Sequence, residues 1–170
     1  MSGVKHIWTK ICKKSIRDKD TNTVTLVNLL ESFAVTVPES KKVKLGKPGP
    51  RCLQFSASYK VVTLYKRSVS GKMMAFSHMI TFHDPNGELL AQKMSKITLE
   101  KDVEDFTQSD EMEQLYVTVP GEYAIKTWVK EGGEADYSLC GSTSFQIKFN
   151  TAKSSKVVSQ KITKTQTRRV

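Results

Sequence analysis

The sequence has little cysteine, and the cysteines it has are not arranged as pairs. Three occur among the 170 residues, far apart at Cys12, Cys52 and Cys140. An odd number of separated cysteines with no C-x-x-C pair argues against a disulfide framework and against a zinc site built from thiols. We therefore expect three reduced thiols that pack as small apolar side chains.

Long apolar runs are also missing. No segment of the sequence approaches the roughly 18 consecutive apolar residues that a membrane-spanning helix needs. The opening MSGVKHIWTKICKK lacks the apolar core of a secretory signal. We expect a cytoplasmic protein without a transmembrane segment.

The common phosphate-binding loops, G-x-x-x-x-G-K-[ST] and G-x-G-x-x-G, do not occur. The glycine-rich segment at residues 44–51 is no substitute, because Pro48 removes an amide donor that a phosphate cradle would need. We expect no cofactor.

The sequence also lacks a recognisable catalytic or metal-binding pattern. His78 and His83 are five positions apart, on opposite faces of a strand, where they cannot share a metal ion. His83-Asp84 is typical of a strand end that enters a turn, and Cys140 has no neighbour that would activate it as a nucleophile. We expect that this protein is not an enzyme, although a sequence pattern does not reveal catalytic groups that meet only in the folded chain.

What the sequence does contain is alternation of apolar and polar residues. From Leu53 to Val61 the odd positions are apolar or aromatic and the even ones are polar, which predicts a strand with one buried face. The same pattern recurs near residues 115–119, 123–129 and 143–149. The HDPNGELL segment, residues 83–90, predicts a hairpin that joins strands near 73–83 and 88–94.

The stretch from Cys12 to Phe33 is ambiguous. Its leucines recur at helical spacings of three and four, but the many β-branched residues between positions 23 and 37 favour a strand. We predict a solvent-exposed basic strand, a turn at residues 20–22 and an apolar return strand with a bulge near Asn28.

Acidic residues cluster between Glu100 and Glu113, with Lys101 as the only base. The segment has no glycine and the wrong spacing for a calcium loop. We expect a solvated loop holding at most one helical turn, with Val103 and Phe106 facing inward. The alternative is an electrostatic socket for the basic C-terminal residues of this chain or of a neighbour.

Positive charge is concentrated at the C-terminal end. Residues 151–170 contain no acid, and we predict a flexible, disordered basic tail there, ordered only on a partner. Its cations are the candidate contacts for a polyanion: Lys153, Lys156, Lys161, Lys164, Arg168 and Arg169. The predicted organisation is one domain at residues 1–150 followed by this tail.

Both ends of the predicted domain resemble a family of short, uncharacterised prokaryotic β-sandwich proteins, a domain of unknown function. The resemblance rests on CKKSIRDKDTNTVTLVNLLESFAVTVP, on the PGEY turn at residues 120–123 and on Gly141, Ser142, Phe145 and Ile147 of the closing strand. It does not cover the middle of the chain or the tail. It implies a β-sandwich, with no activity, ligand or catalytic residue to carry over.

Seven to nine strands at hairpin-like spacing predict an all-β, antiparallel β-sandwich, immunoglobulin-like or C2-like. We expect a non-enzymatic binding or assembly module with a structural role, whose partner is another protein or further copies of itself. The alternative is a nucleic-acid-associated protein that binds phosphates non-specifically through its basic tail and loops.

Overall fold

The computed structural model describes residues 3–18, 20–21, 23–38, 51–53, 60–68, 71–111, 115–117, 119–152, 158–162 and 166–169. Within these ranges the chain forms strands and turns, and no helix there is long and apolar enough to cross a membrane. The strands are β1 Val4–Asp18, β2 Thr23–Pro38, β3 Arg51–Leu53, β4 Lys60–Arg67, β5 Met74–His83, β6 Leu89–Leu99, β7 Asp105–Glu111, β8 Leu115–Val117, β9 Gly121–Glu131, β10 Ser138–Ala152, β11 Val158–Ile162 and β12 Gln166–Arg169.

One hydrogen-bonded sheet, in the order β6-β5-β9-β10-β2-β1-β4-β7, folds over on itself into two layers. Strand β2 belongs to both layers, because Thr23–Leu30 pairs with β1 whereas Ser32–Pro38 pairs with β10. The predicted all-β sandwich is confirmed. The sheet is not purely antiparallel, however, since β10 runs parallel to β2.

The core lies between the two layers and follows the predicted alternation. Tyr123, Ile125 and Val129 of β9 are buried, as are Phe145 and Ile147 of β10. Val61 is buried, but so are its neighbours Val62 and Thr63, so its burial does not test the alternation predicted for 53–61, and residues 54–59 lie outside the described part of the chain.

The opening hairpin is confirmed, with strand rather than helix on both sides of the reversal. The carboxylate of Asp18 accepts hydrogen bonds from the amides of Asp20 and Thr21 at 2.9 and 3.3 Å and so builds the turn. The predicted bulge at Asn28 is wrong in detail. Asn28 has a left-handed backbone (φ 56°), but the register with β1 is the same on both sides of it.

The second predicted hairpin is confirmed as β5 and β6. Buried Asp84 organises its turn, because its carboxylate accepts the amides of Asn86 and Glu88 at 2.9 and 2.8 Å. Gly87 adopts a φ of 86°, which favours glycine. The pair His83-Asp84 is therefore the strand end and turn that the sequence predicted.

The acidic segment was expected to be a solvated loop, and that expectation is wrong for part of it. Residues 105–111 form β7, which pairs with β4 at the end of the sheet. Two of the three carboxylates of β7 have partners away from solvent, since Asp110 is buried beside His78 and Asp105 forms an ion pair with Arg17, and only Glu111 is exposed. Val103 and Phe106 pack against the core, as predicted.

The C-terminal residues were expected to be disordered, but β10 runs on to Ala152 and both β11 and β12 pair with β2. Strands β10 and β11 use the same residues of β2, so they lie on opposite edges of it. Ile162 pairs with Leu30, and four residues further along the chain Gln166 pairs with Leu26. Both pairs have the same antiparallel register, so β11 and β12 run one after the other along a single edge of β2. That edge would otherwise present unpaired backbone groups to water.

Candidate functional site

The core contains an Asp–His–Tyr chain of hydrogen bonds that links three strands. His78 on β5 lies between Asp110 on β7, with Nε2 2.8 Å from Oδ2, and Tyr65 on β4, with Nδ1 2.6 Å from the hydroxyl. Burial, together with nearby Cys140 and Asp110, raises the pKa of Tyr65, so its hydroxyl stays protonated and donates to Nδ1. The Nε2–H of His78 then donates to the Asp110 carboxylate.

This arrangement resembles a catalytic relay but has no access to a substrate. His78 has 0% of its surface exposed, Tyr65 1% and Asp110 6%. Cys140 lies near the hydroxyl of Tyr65, and its thiol donates to the carbonyl of Thr127 at 3.3 Å. Burial raises the pKa of Cys140 to about 11, so the nucleophilic thiolate is scarce at neutral pH. The chain of bonds ties the two layers together instead.

This cluster was not predicted from the sequence because its members are far apart along the chain. Asp110 follows His78 by 32 positions, and Tyr65 precedes it by 13. One signal was present. His78 falls on the inward positions of β5, between Phe76 and Ile80, where a polar residue needs a partner.

A second polar network lies beside the first. Nε2 of His6 is 2.8 Å from the hydroxyl of Thr9, which in turn lies 2.9 Å from that of Thr127 on the opposite layer. Burial and the proximity of His78 lower the pKa of His6, which favours the neutral imidazole. Gly141 makes room for this ring, because a methyl group at that position would overlap it.

The solvent side of the β6-β5-β9-β10 layer carries an apolar row across four strands. Met94 lies opposite Met79, Met79 opposite Trp128, and Trp128 opposite Leu139. Met94 is 60% exposed and Leu139 53%. The indole N–H of Trp128 donates to the hydroxyl of Thr81 at 2.8 Å, which fixes the ring.

Lysines flank this apolar row on both sides. Towards one end of the strands, Ser77 lies opposite both Lys96 and Lys130. Towards the other, Thr81 lies opposite Lys126. We call the apolar row together with Lys96, Lys126 and Lys130 the outer face.

A cavity of about 440 Å³ opens next to Lys96 and Lys130 and is bounded by the turn at residues 131–134. Two carboxylates at its rim already accept backbone amides, Glu131 that of Gly3 and Glu134 that of Glu131 at 3.0 Å. A second cavity, of about 300 Å³, lies where β2 changes partner from β1 to β10.

The predicted polyanion contacts fall into two groups. The backbone of Lys161, Arg168 and Arg169 lies on β11 and β12, along the edge of β2. Lys153, Lys156 and Lys164 lie outside the described residues. Of the basic residues in the opening hairpin, Lys13 and Lys14 are exposed, and Arg17 forms an ion pair with Asp105.

No family model and no curated protein match the chain, so the resemblance to the prokaryotic β-sandwich family stays a prediction. Among solved structures, the C-terminal domain of wzt is similar over 93% of this chain and 80% of that chain, with 10% identity and a TM-score of 0.44. An immunoglobulin-like protein from Pseudomonas aeruginosa is similar over 86% of this chain and 98% of that one, with 11% identity and a TM-score of 0.38. A Bacteroides uniformis β-glucuronidase 2 is 14% identical over 71% of this chain, which spans 15% of that enzyme, with a TM-score of 0.43. Likeness of this degree supports no conclusion about activity.

Proposed function

We propose that the chain is a non-enzymatic binding or assembly module that works through its outer face. The observation that carries this proposal is the apolar row, in which more than half the surface of Met94 and of Leu139 is exposed to solvent. Scattered apolar side chains are common on protein surfaces, but a contiguous set is typical of an interaction site.

The composition of the row suits an interface. Trp128 is held by Thr81 and offers a rigid aromatic group, the type of residue that contributes most to binding energy. Met79 and Met94 are flexible apolar residues that adapt to a partner surface. The row crosses three interstrand spacings, a width of about 14 Å, which is enough for one element of a partner.

The buried groups support the non-enzymatic part of the proposal. The residues whose chemistry resembles that of a catalytic relay, Tyr65, His78 and Asp110, are sealed in the core. Catalysis requires such groups to converge on a site that a substrate can enter.

Affinity capture tests the proposal with a matched pair of variants. The variant Met94→Asp/Leu139→Asp is expected to lose the partners that the wild-type chain retains, because charge in the apolar row cannot be desolvated cheaply. The control Ile7→Asp/Ile16→Asp changes residues of similar exposure, 41% and 46%, on β1 and is expected to retain them. Equal capture by all three proteins contradicts the proposal.

A chain that ends at Ala152 separates the outer face from the basic C-terminal segment. If the chain that ends at Ala152 captures the same partners as the full chain, residues 153–170 are not needed for binding. If it loses them while the Met94→Asp/Leu139→Asp variant keeps them, the outer face is not the binding surface.

A further inference from the structure

Strand β4 is buried on both of its faces. Val61 packs into the core between the layers, and so does Tyr65. Val62 and Leu64 alternate with these residues and belong to a separate buried cluster. In a two-layer sandwich the outer side of a strand faces water. Another part of the chain therefore covers the outer side of β4.

The cover is the β1–β2 hairpin. Val24 and Leu26 of β2 are buried in the same cluster as the outer residues of β4. We call residues 13–18 and 23–28 the hairpin arm. This arm folds back over β4, which pairs with the earlier part of β1.

An ion pair shows how far the hairpin arm folds back. Asp105 lies opposite Lys66, which in turn lies opposite Lys5 near the start of β1. Arg17 follows Lys5 by 12 residues, a distance of about 40 Å on a straight strand. Arg17 nevertheless forms an ion pair with Asp105, so β1 turns back and its far end is held against β7.

The bend is located at Asn28. The β1–β2 ladder has the same register on both sides of Asn28, but the pair of Asn28 with Lys13 is missing from it. Asn28 has a left-handed backbone (φ 56°), a conformation that is strained for residues other than glycine. On the other edge of β2, β11 ends opposite Leu30 and β12 begins opposite Leu26. All three strands are thus interrupted at one level, which marks a hinge.

From this hinge and this separate cluster we propose that two copies of the chain exchange their hairpin arms, so that each arm covers β4 of the other copy. If Asn28 becomes extended, the arm continues straight on, and no residue is gained or lost because the register is already continuous. The missing pair with Lys13 then forms and the left-handed backbone is relieved. The contacts with β4 and Asp105 are kept, but they are made to a second chain.

The exchange closes after two copies. Each chain provides one arm and one β4 surface, so two chains related by a two-fold axis satisfy both. The arm is about 20 Å long from Lys13 to Asp18, enough to cross about four strands. The outer face belongs to the other layer and stays open in such a dimer. The inference therefore goes beyond the proposed function and does not depend on it.

Mixing two charge-reversed variants tests the exchange. Arg17→Asp and Asp105→Arg each place like charges at the ion pair within one chain. When the two variants are unfolded in urea and refolded together, an exchanged pair regains opposite charges at both ion pairs. Sedimentation equilibrium of the mixture is expected to show a species of twice 19.1 kDa. Its dissociation constant is expected to be at least about tenfold below that of either variant alone.

Lys14→Asp mixed with Glu122→Arg is the matched control. Both residues are exposed, and Lys14 lies on the hairpin arm whereas Glu122 lies on β9 in the other layer. Refolding these two variants together restores no ion pair, so the dissociation constant is expected to equal that of each variant alone. Far-UV circular dichroism checks that all four variants have refolded.

Substitution of Asn28 gives a second test through the hinge. Asn28→Gly adopts the left-handed backbone without strain and is expected to favour the monomer. Asn28→Val is β-branched and is expected to favour the extended hinge of the dimer. Because each dimer contains two hinges, its dissociation constant is expected to be at least about tenfold lower for Asn28→Val than for Asn28→Gly, with the wild-type value in between.

Four results would overturn the proposal. They are a refolded mixture of Arg17→Asp and Asp105→Arg that stays monomeric, a control mixture that dimerises as strongly, Asn28 variants with equal dissociation constants, and a mass that keeps rising past two chains. Partner capture that depends on Met94 and Leu139 is a separate measurement, so the proposed function stands or fails independently of these results.

Discussion

The hydroxyl of Tyr65 lies 2.6 Å from Nδ1 of His78, and this hydrogen bond joins β4 of one layer to β5 of the other inside the core. We predict that Tyr65→Phe lowers the free energy of unfolding by about 1–3 kcal/mol, because His78 keeps its buried acceptor but loses the donor. Urea denaturation measures the change.

Tyr137→Phe is the control for this substitution, since Tyr137 is only partly buried and its ring packs under the ammonium group of Lys130. It is expected to change the free energy of unfolding by less than about 0.5 kcal/mol. Equal effects of the two substitutions would show that the Tyr65–His78 bond contributes nothing specific.

Gly141 and His6 form a second pair that can be tested directly. A methyl group at position 141 would overlap the imidazole of His6, so Gly141→Ala is expected to destabilise the fold by about 1–3 kcal/mol. The double variant Gly141→Ala/His6→Ala removes the imidazole that the new methyl group would overlap, so it is expected to recover part of the lost free energy of unfolding. A double-mutant cycle with no coupling between the two positions would contradict this role of the glycine.

The lowered pKa of His6 predicts a pH dependence with a definite sign. The folded chain favours the neutral form of His6, because the pKa of His6 in the folded chain lies below its ordinary value of 6.5. As the solution is acidified, the unfolded chain therefore binds a proton at His6 before the folded chain does. The contribution of His6 is fully present above pH 6.5 and is lost as the pH falls through the lower folded pKa.

The variant His6→Gln isolates this contribution, because glutamine can still bond to Thr9 but does not titrate. The stability difference between wild type and His6→Gln should shrink as the pH is lowered from about 7.5 to about 5. His83→Gln, at a partly exposed position, is the control. A difference that grows on acidification would reverse the assigned direction of the pKa shift.

Thiol reactivity gives an independent test of the core. Burial raises the pKa of both Cys12 and Cys140 to about 11, so few thiolates exist at neutral pH. In a Cys52→Ser background, we predict that neither thiol reacts with a disulfide reagent until the chain is unfolded in urea. Rapid reaction of one thiol in the native protein would show that its strand opens readily.

Some of this structure could be predicted from short-range patterns. Alternation in residues 115–119, 123–129 and 143–149 predicted strands, and the turn residues between His83 and Leu90 predicted the β5–β6 hairpin. Both signals are local, because a strand points successive side chains to opposite faces and a tight turn needs particular backbone angles within a few residues.

The functional surfaces were not predictable in the same way. Trp128, Met79, Met94 and Leu139 look unrelated in the sequence, and the register of four strands brings them into one row. The same holds for Asp110, which belongs to an acidic segment expected in solvent but lies against His78.

The sequence by itself determined that this chain forms strands, where several of them turn, and which of their faces meet the core. Only the tertiary structure decided which strands are neighbours, that β10 runs parallel to β2, and which side chains share the solvent face. The reason is physical: alternation and turn chemistry act between adjacent residues, whereas strand order and register come from hydrogen bonds and packing between residues far apart in the chain.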